Sequence, residues 1–228
     1  MISKLKKIKP ALLKVLVNVR ELGISPFKPL VIFDVGANNG SSFEVLPKVL
    51  PWVKIHAFEP TPHLIDIIQQ KMGRTRNYHL IPKAVGSNPG TAQFNIAGQS
   101  DWGCSSLLDF SDNLEKTWPG REDFKVTEKL EVEIIRLDDY VREHGIEQID
   151  FLHIDTQGTD LDVLKSLGDA LSKVHAGVVE VPQSSEVMLY KGQHSREEML
   201  EFLEQNGFYV WKEIQQQNET NIYFRKNN

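Results

Sequence analysis

An apolar run that stops at an acid, a glycine-punctuated turn, and a second apolar run that stops at another acid constrain this chain more than any other feature. Leu30 to Phe33 lead into Asp34, Gly36 and Gly40 bracket Ala37-Asn38-Asn39, and the run over 53–58 ends at Glu59-Pro60. Strand, turn, helix and strand form the repeating unit of a parallel sheet, because parallel neighbours need a crossover connection. Right-handed crossovers bring the strand ends, and any ligand, to one edge. The pattern predicts strands over 30–35 and 53–58 joined by a helix over 40–49. It then predicts a helix over 62–72, with Thr61 as N-cap and Pro62 in the first turn.

The alternation continues. A strand is expected over 78–82, followed by Ala84-Val85-Gly86 and by GTAQFNIA (90–97), whose period of two reads as an edge strand or hairpin arm. Residues 98–129 are polar and irregular, as functional or mobile loops are. Further strands are predicted over 130–137, 149–154 and 174–181, with helices over 138–144 (Asp138 as cap) and 159–167. Ser195 with Glu198 three residues on is a capping box for a helix over 195–206. Residues 208–214 and 220–226 read as a terminal antiparallel pair. The expected architecture is therefore α/β: a doubly wound, mostly parallel sheet closed by a C-terminal antiparallel pair.

Two segments divide the chain. Leu5, Ile8, Leu12, Val15, Val19 and Leu22 recur at helical spacing, with Gly23 as a stop, so residues 1–24 are expected as an amphipathic helix and 25–228 as the main domain. Residues 1–20 hold six basic residues and no acid, and the rest holds 20 basic against 31 acidic residues. An acidic body disfavours a nucleic-acid substrate. The basic helix is expected to pack on its own domain, to mediate a dimer, or to lie on an anionic membrane surface through residues 1–22. No run approaches a membrane span. Cys104 is the only cysteine, which excludes an internal disulfide and fits a reducing, cytoplasmic setting. No compact His, Cys or carboxylate ligand set is visible, so no metal is expected.

The chemistry follows from the two strand-end acids. A dinucleotide turn requires G-x-G-x-x-G, so that pyrophosphate can rest on bare backbone. Here the middle glycine is Asn38, which argues against an NAD-dependent oxidoreductase, the principal alternative. S-adenosylmethionine has no phosphate, and D-x-G-x-x-x-G suits it. Asp34 can orient the turn or hold the ammonium, while N–H groups at the helix start face the carboxylate. Glu59 can accept both ribose hydroxyls. The blander reading is a tight turn with Asp34 capping the helix. Asp155 ends the strand over 149–154, at the edge where methyl donor and acceptor meet, and His153 shares its sheet face. Either is a candidate base. Glu180, His194, Trp102, Ser105 and Ser106 are further candidates near that edge.

These segments resemble the FkbM family of S-adenosylmethionine-dependent methyltransferases: FDVGANNGSSF, HAFEPTP, KAVGSNPGTAQFNI, CSSL, IIRLDDYV, IDFLHIDTQGTDLDVLKSLG, VVEV, LYKGQHSREEMLEFLEQNGF and NIYFRK. The resemblance covers about residues 30–226. It implies a Rossmann-like methyltransferase sheet and O-methylation of a hydroxyl on a sugar or other small metabolite. It also implies cofactor contacts at Gly36, Asn38, Gly40 and Glu59, and places Pro60, Ala84 and Ser106 in matching segments. Two positions depart from the family: His153 stands where lysine is usual, and Asp160 where glutamate is. The first departure keeps a non-catalytic, cofactor-binding role in play.

Overall fold

The computed structural model describes residues 22–25, 27–98, 102–121 and 123–227. The expected helix over 1–24 therefore lies almost wholly outside the described residues. Among the described residues, ten strands and six α-helices follow in the order β1 (Leu30–Val35), α1 (Leu46–Val49), β2 (Val53–Phe58), α2 (Pro62–Met72), β3 (Tyr78–Ile81), β4 (Ala84–Val85), β5 (Gly90–Ala97), α3 (Leu114–Thr117), β6 (Val126–Ile135), α4 (Leu137–Glu143), β7 (Phe151–Ile154), α5 (Asp160–Lys165), β8 (Ala176–Pro182), α6 (Arg196–Gln205), β9 (Phe208–Gln215) and β10 (Glu219–Lys226).

Seven strands form one sheet in the order β3-β2-β1-β7-β8-β10-β9, and three form a second in the order β4-β6-β5. β3, β2, β1, β7 and β8 run parallel, and β10 and β9 close the sheet antiparallel. The order reverses beside β1, so the carboxyl ends of β1 and β7 diverge and leave a crevice. Side chains of β1 alternate between two cores. Phe33 and Val35 pack with Phe58, Leu152 and Ile154, whereas Leu30 and Ile32 pack with Ile55, Phe151 and Val178. Burial on both faces is why these strands read as continuous apolar runs.

Several expectations need correction. The helix after β1 is only Leu46–Val49. The preceding residues turn instead, because Gly40 sits at φ +75° and the Ser41 N–H is claimed by Asn39 Oδ1 at 3.0 Å, a local bond that competes with helix. Thr61 stands at the N-cap of α2 but makes no side-chain cap; its N–H turns to Glu59. Asp138 is inside α4 rather than capping it, and pairs with Arg136. β6 starts at Val126, so the supposed irregular stretch is shorter than expected and also contains α3 and a 3-10 turn at Trp102–Cys104. The capping box at Ser195 is present: its Oγ accepts from the Glu198 N–H at 3.1 Å, and Glu198 Oε2 accepts from the Ser195 N–H at 2.7 Å. β5 is an edge strand, paired antiparallel with β6. No helix among the described residues is long and apolar enough to cross a membrane.

Candidate functional site: a cleft at the carboxyl edge of the sheet

The turn after β1 is shaped by what it must avoid. Gly36 has φ +82°, and a Cβ there would come within 1.9 Å of the Asp155 carbonyl oxygen. Only glycine brings the end of β1 this close to the end of β7. The N–H groups of Gly36 and Ala37 both donate to the Phe58 carbonyl at 3.0 Å, which ties the turn to the end of β2. Asn38 follows in the left-handed region at φ +50°. Its N–H therefore points at Glu59 and donates to Oε2 at 2.8 Å, while the Thr61 N–H donates to Oε1 at 2.9 Å. The carboxylate is held in one orientation by main chain alone. Burial raises its pKa to about 7 against the pull of those two bonds. Each oxygen retains a lone pair, so the pair can still accept two hydroxyl donors.

Beneath the turn lies a second arrangement. Asp34 is fully buried, and its Oδ1 sits 2.8 Å from His153 Nδ1. Burial alone would lower the His153 imidazole. The hydrogen bond and charge of Asp34, with Asp155 and Asp160 beyond, override it, and the pKa is raised. Nδ1 then donates to Asp34, and Phe43 stands edge-on to the ring at 5.5 Å. His153 thus supplies the hydrogen-bond partner of a buried carboxylate. The other oxygen, Asp34 Oδ2, and the Tyr78 hydroxyl have no partner among the described residues.

Across the crevice, acids gather at the ends of β7, β8 and β10. Asp155 is exposed. Asp160 is buried and accepts from the Thr156 N–H and hydroxyl and from the Glu180 N–H. Burial and the Asp155 charge raise Asp160 to about 6. The same two causes raise Glu180 to about 9 and Glu219 to about 7.

A partly open cleft joins the two lips. Val35, Phe58, Leu64, Val85, Phe94 and Leu107 give it apolar walls, and Asn38, Glu59, Lys83, Asp155 and Gln157 give it polar points. Of the expected residues, Gly36, Asn38, Glu59, Pro60, Ala84 and Asp155 line it, as does Ser105. Asp34, Gly40, His153 and Ser106 stand behind the lining. Ser106 is fully buried, and its Oγ donates to the Gln157 carbonyl at 2.6 Å. His194 lies apart, 3.6 Å from both Asp162 and Glu198. The side chain of Trp102 lies outside the described residues. Phe94, Leu107 and Gln157 were not foreseen. The period-two pattern of 90–97 could have marked Phe94 as facing inward, but nothing local says that the small sheet folds over the cleft.

A nucleoside with a charged amino acid tail fits these residues. The turn offers bare backbone, Glu59 offers two fixed acceptors, and Leu64, Val85 and Phe94 offer apolar walls. Residues 34–210 match the Methyltransferase FkbM domain. The chain is 28% identical over 179 residues to the 2-O-methyltransferase NoeI of Sinorhizobium fredii, covering 76% of this chain and 70% of that protein. It is 27% identical over 162 residues to the methyltransferase sdnD of Sordaria araneosa, covering 63% of this chain and 62% of that protein. Among solved structures, a fibrillarin from Aeropyrum pernix with bound S-adenosyl-L-methionine superposes with a TM-score of 0.52 at 11% identity, over 88% of this chain and 68% of that one. A precorrin-6y C5,15-methyltransferase from Geobacter metallireducens gives 0.50 at 15%, over 93% and 87%. At such identities these two speak for the fold alone. The match over 34–210 spans well over half of the chain, so this protein belongs to the FkbM methyltransferase family and is an S-adenosylmethionine-dependent enzyme.

Proposed function

We propose that the enzyme methylates a hydroxyl group on a sugar or other small metabolite. The supporting observation is the placement of two carboxylates on opposite lips of one cleft: Glu59, clasped by backbone, and Asp155, exposed at the end of β7. When bound, S-adenosylmethionine supplies an electrophilic methyl group on a sulfonium. Glu59 would accept the ribose hydroxyls, and Gly36, Asn38, Pro60 and Ala84 would line the nucleoside and tail. Asp34 and Gly40 would shape the turn rather than touch the ligand, and Ser106 would act from behind Ser105.

An alcohol is a poor nucleophile near neutral pH, and a positioned base contributes about 10²–10⁴-fold. Asp155 is the better placed of the two candidates. His153 has its Nδ1 engaged by Asp34 and holds its proton more tightly than a free imidazole, so we assign it to charge compensation under the turn. The acidic lip also disfavours a polyanionic acceptor. The name of the NoeI relative favours transfer to oxygen.

In this reading the basic segment over 1–22 packs on its own domain, mediates a dimer or touches a membrane surface, and the setting is cytoplasmic. A thermal-shift screen tests the cofactor: S-adenosylhomocysteine should raise Tm and NAD should not. Incubation with labelled methyl donor and a panel of sugars tests the acceptor. Labelling of nitrogen or carbon acceptors in place of alcohols would contradict it.

A further inference from the structure

One amide joins the two carboxylates of the β7–β8 lip. Gln157 is held in the left-handed region at φ +56°, a conformation uncommon for a residue with a side chain. Its carbonyl is pinned by Ser106 Oγ. Its side-chain nitrogen donates to Asp155 Oδ1 at 2.7 Å and lies 3.4 Å from Glu180 Oε2. Its Oε1 accepts from the Tyr190 hydroxyl at 2.9 Å, a hydroxyl that also reaches the Cys104 carbonyl at 2.9 Å. An amide oxygen turned toward the Asp155 carboxylate would be repelled, whereas the NH2 group has a donor for each of the two acids. Asp155 therefore fixes the orientation of the amide, and the Tyr190 hydroxyl, whose one proton is shared between Gln157 Oε1 and the Cys104 carbonyl, holds its far end. Tyr190 is itself immobilised: it is 2% exposed and stacked on Phe110 at 5.3 Å. The neighbouring Gly158 leaves no room for a side chain, since a Cβ there would meet the Tyr190 ring at 2.9 Å.

We infer that Gln157 is a positioning residue for methyl transfer: it aims the Asp155 carboxylate into the cleft, and Tyr190 aims Gln157. The inference rests on reading this lip as the acceptor side. An amide suits the task better than an acid, because it donates to both acidic side chains without adding a negative charge to the lip. It also couples the lip to the segment carrying Cys104 and Ser106, whose neighbours Gly103 and Ser105 line the cleft. Glu180 shares in the link: burial and the charges of Asp155, Glu219 and Asp160 raise its pKa, and the hydrogen bond from Gln157 acts against them.

The test needs no acceptor. Carboxyl carbon-13 titration would follow Glu180 and Asp155 in the parent, in Gln157→Met, which keeps the length but cannot donate, and in Tyr190→Phe, which touches neither acid. The Glu180 midpoint should move up in Gln157→Met and, by less, in Tyr190→Phe, with the Asp155 resonance shifting in both. S-adenosylhomocysteine affinity in Tyr190→Phe should stay within about threefold of the parent, because Tyr190 does not line the cleft. A folded Tyr190→Phe with unmoved Glu180 and Asp155 signals would overturn the Tyr190 link. Unmoved signals in Gln157→Met would overturn the whole inference. Should Tyr190→Phe fail to fold, Gln157→Met alone still decides. Calorimetry of the parent with S-adenosylhomocysteine tests the methyl-donor reading separately.

Discussion

At the β1–β2 lip the acid is fastened by main chain, whereas at the β7–β8 lip the acids are fastened to side chains. Glu59 takes both of its hydrogen bonds from backbone N–H groups, and the glycine turn that delivers one of them is locked against Phe58 and Asp155. Asp155 and Glu180 depend on the Gln157 amide, which in turn depends on a tyrosine from a distant loop. Backbone donors do not change with side-chain substitution, so the first lip is suited to a constant ligand. The second lip can be re-aimed by replacing a few side chains, so it is the more adjustable of the two. Burial is the main cause that raises Glu59, Glu180 and Asp160 alike, and the charge that adds to it is Asp34 at the first lip and Asp155 at the second.

Four experiments would break or sharpen the contrast. The largest effect is expected from Asp155→Asn, which should cut turnover by about 10²–10⁴-fold while leaving S-adenosylhomocysteine affinity nearly intact. Turnover at the parent level would remove Asp155 from the chemistry. Gly36→Ala should act on both lips at once, because its Cβ would enter the Asp155 carbonyl. Left-handed backbone strain alone costs about 1–3 kcal/mol, so a lowered Tm together with loss of cofactor binding is expected. A variant that melts like the parent would show that the lips are not in contact through this turn.

Glu59→Ala should weaken S-adenosylhomocysteine by roughly 10- to 150-fold for each charged hydrogen bond lost, at about 1.5–3 kcal/mol apiece. Calorimetry giving parental affinity would refute the ribose assignment. The smallest effect is one of pH. Glu59 is raised to about 7 in the ligand-free protein, and only its charged form accepts two hydroxyl donors. Affinity should therefore fall as pH drops from about 8 to about 6, by at most about tenfold per unit, and Glu59→Gln should abolish that slope. Folding stability runs the other way. A carboxyl that holds its proton more tightly when folded favours the native state below its unfolded value, and that contribution fades as pH rises toward 7.

The first lip was legible in the sequence because its signals are local. Gly36, Asn38 and Glu59 fall within one strand–turn–strand unit, and the spacing of the unit is the message. Leu30 to Phe33 announced a strand of a parallel sheet, and Ser195 with Glu198 announced a helix start that the structure keeps. The second lip was only half legible. Asp155 stood at a readable strand end, but Gln157 gains its meaning from Tyr190, 33 residues on, and from Glu180. His153 looked like a base because periodicity gives its sheet face and not its neighbour. Only the register of β1 beside β7, with Asp34 opposite His153, reveals the hydrogen bond between them. The helix expected after Gly40 failed for a local reason that could have been read: Asn39 and Ser41 supply a competing turn.

A crystal structure with S-adenosylhomocysteine bound tests the central claim most directly. The account predicts the nucleoside in the cleft between Glu59 and Asp155, with both ribose hydroxyls on the Glu59 carboxylate and the sulfur facing Asp155. A nucleoside bound elsewhere, or seated in the cleft with its ribose away from Glu59, would contradict it.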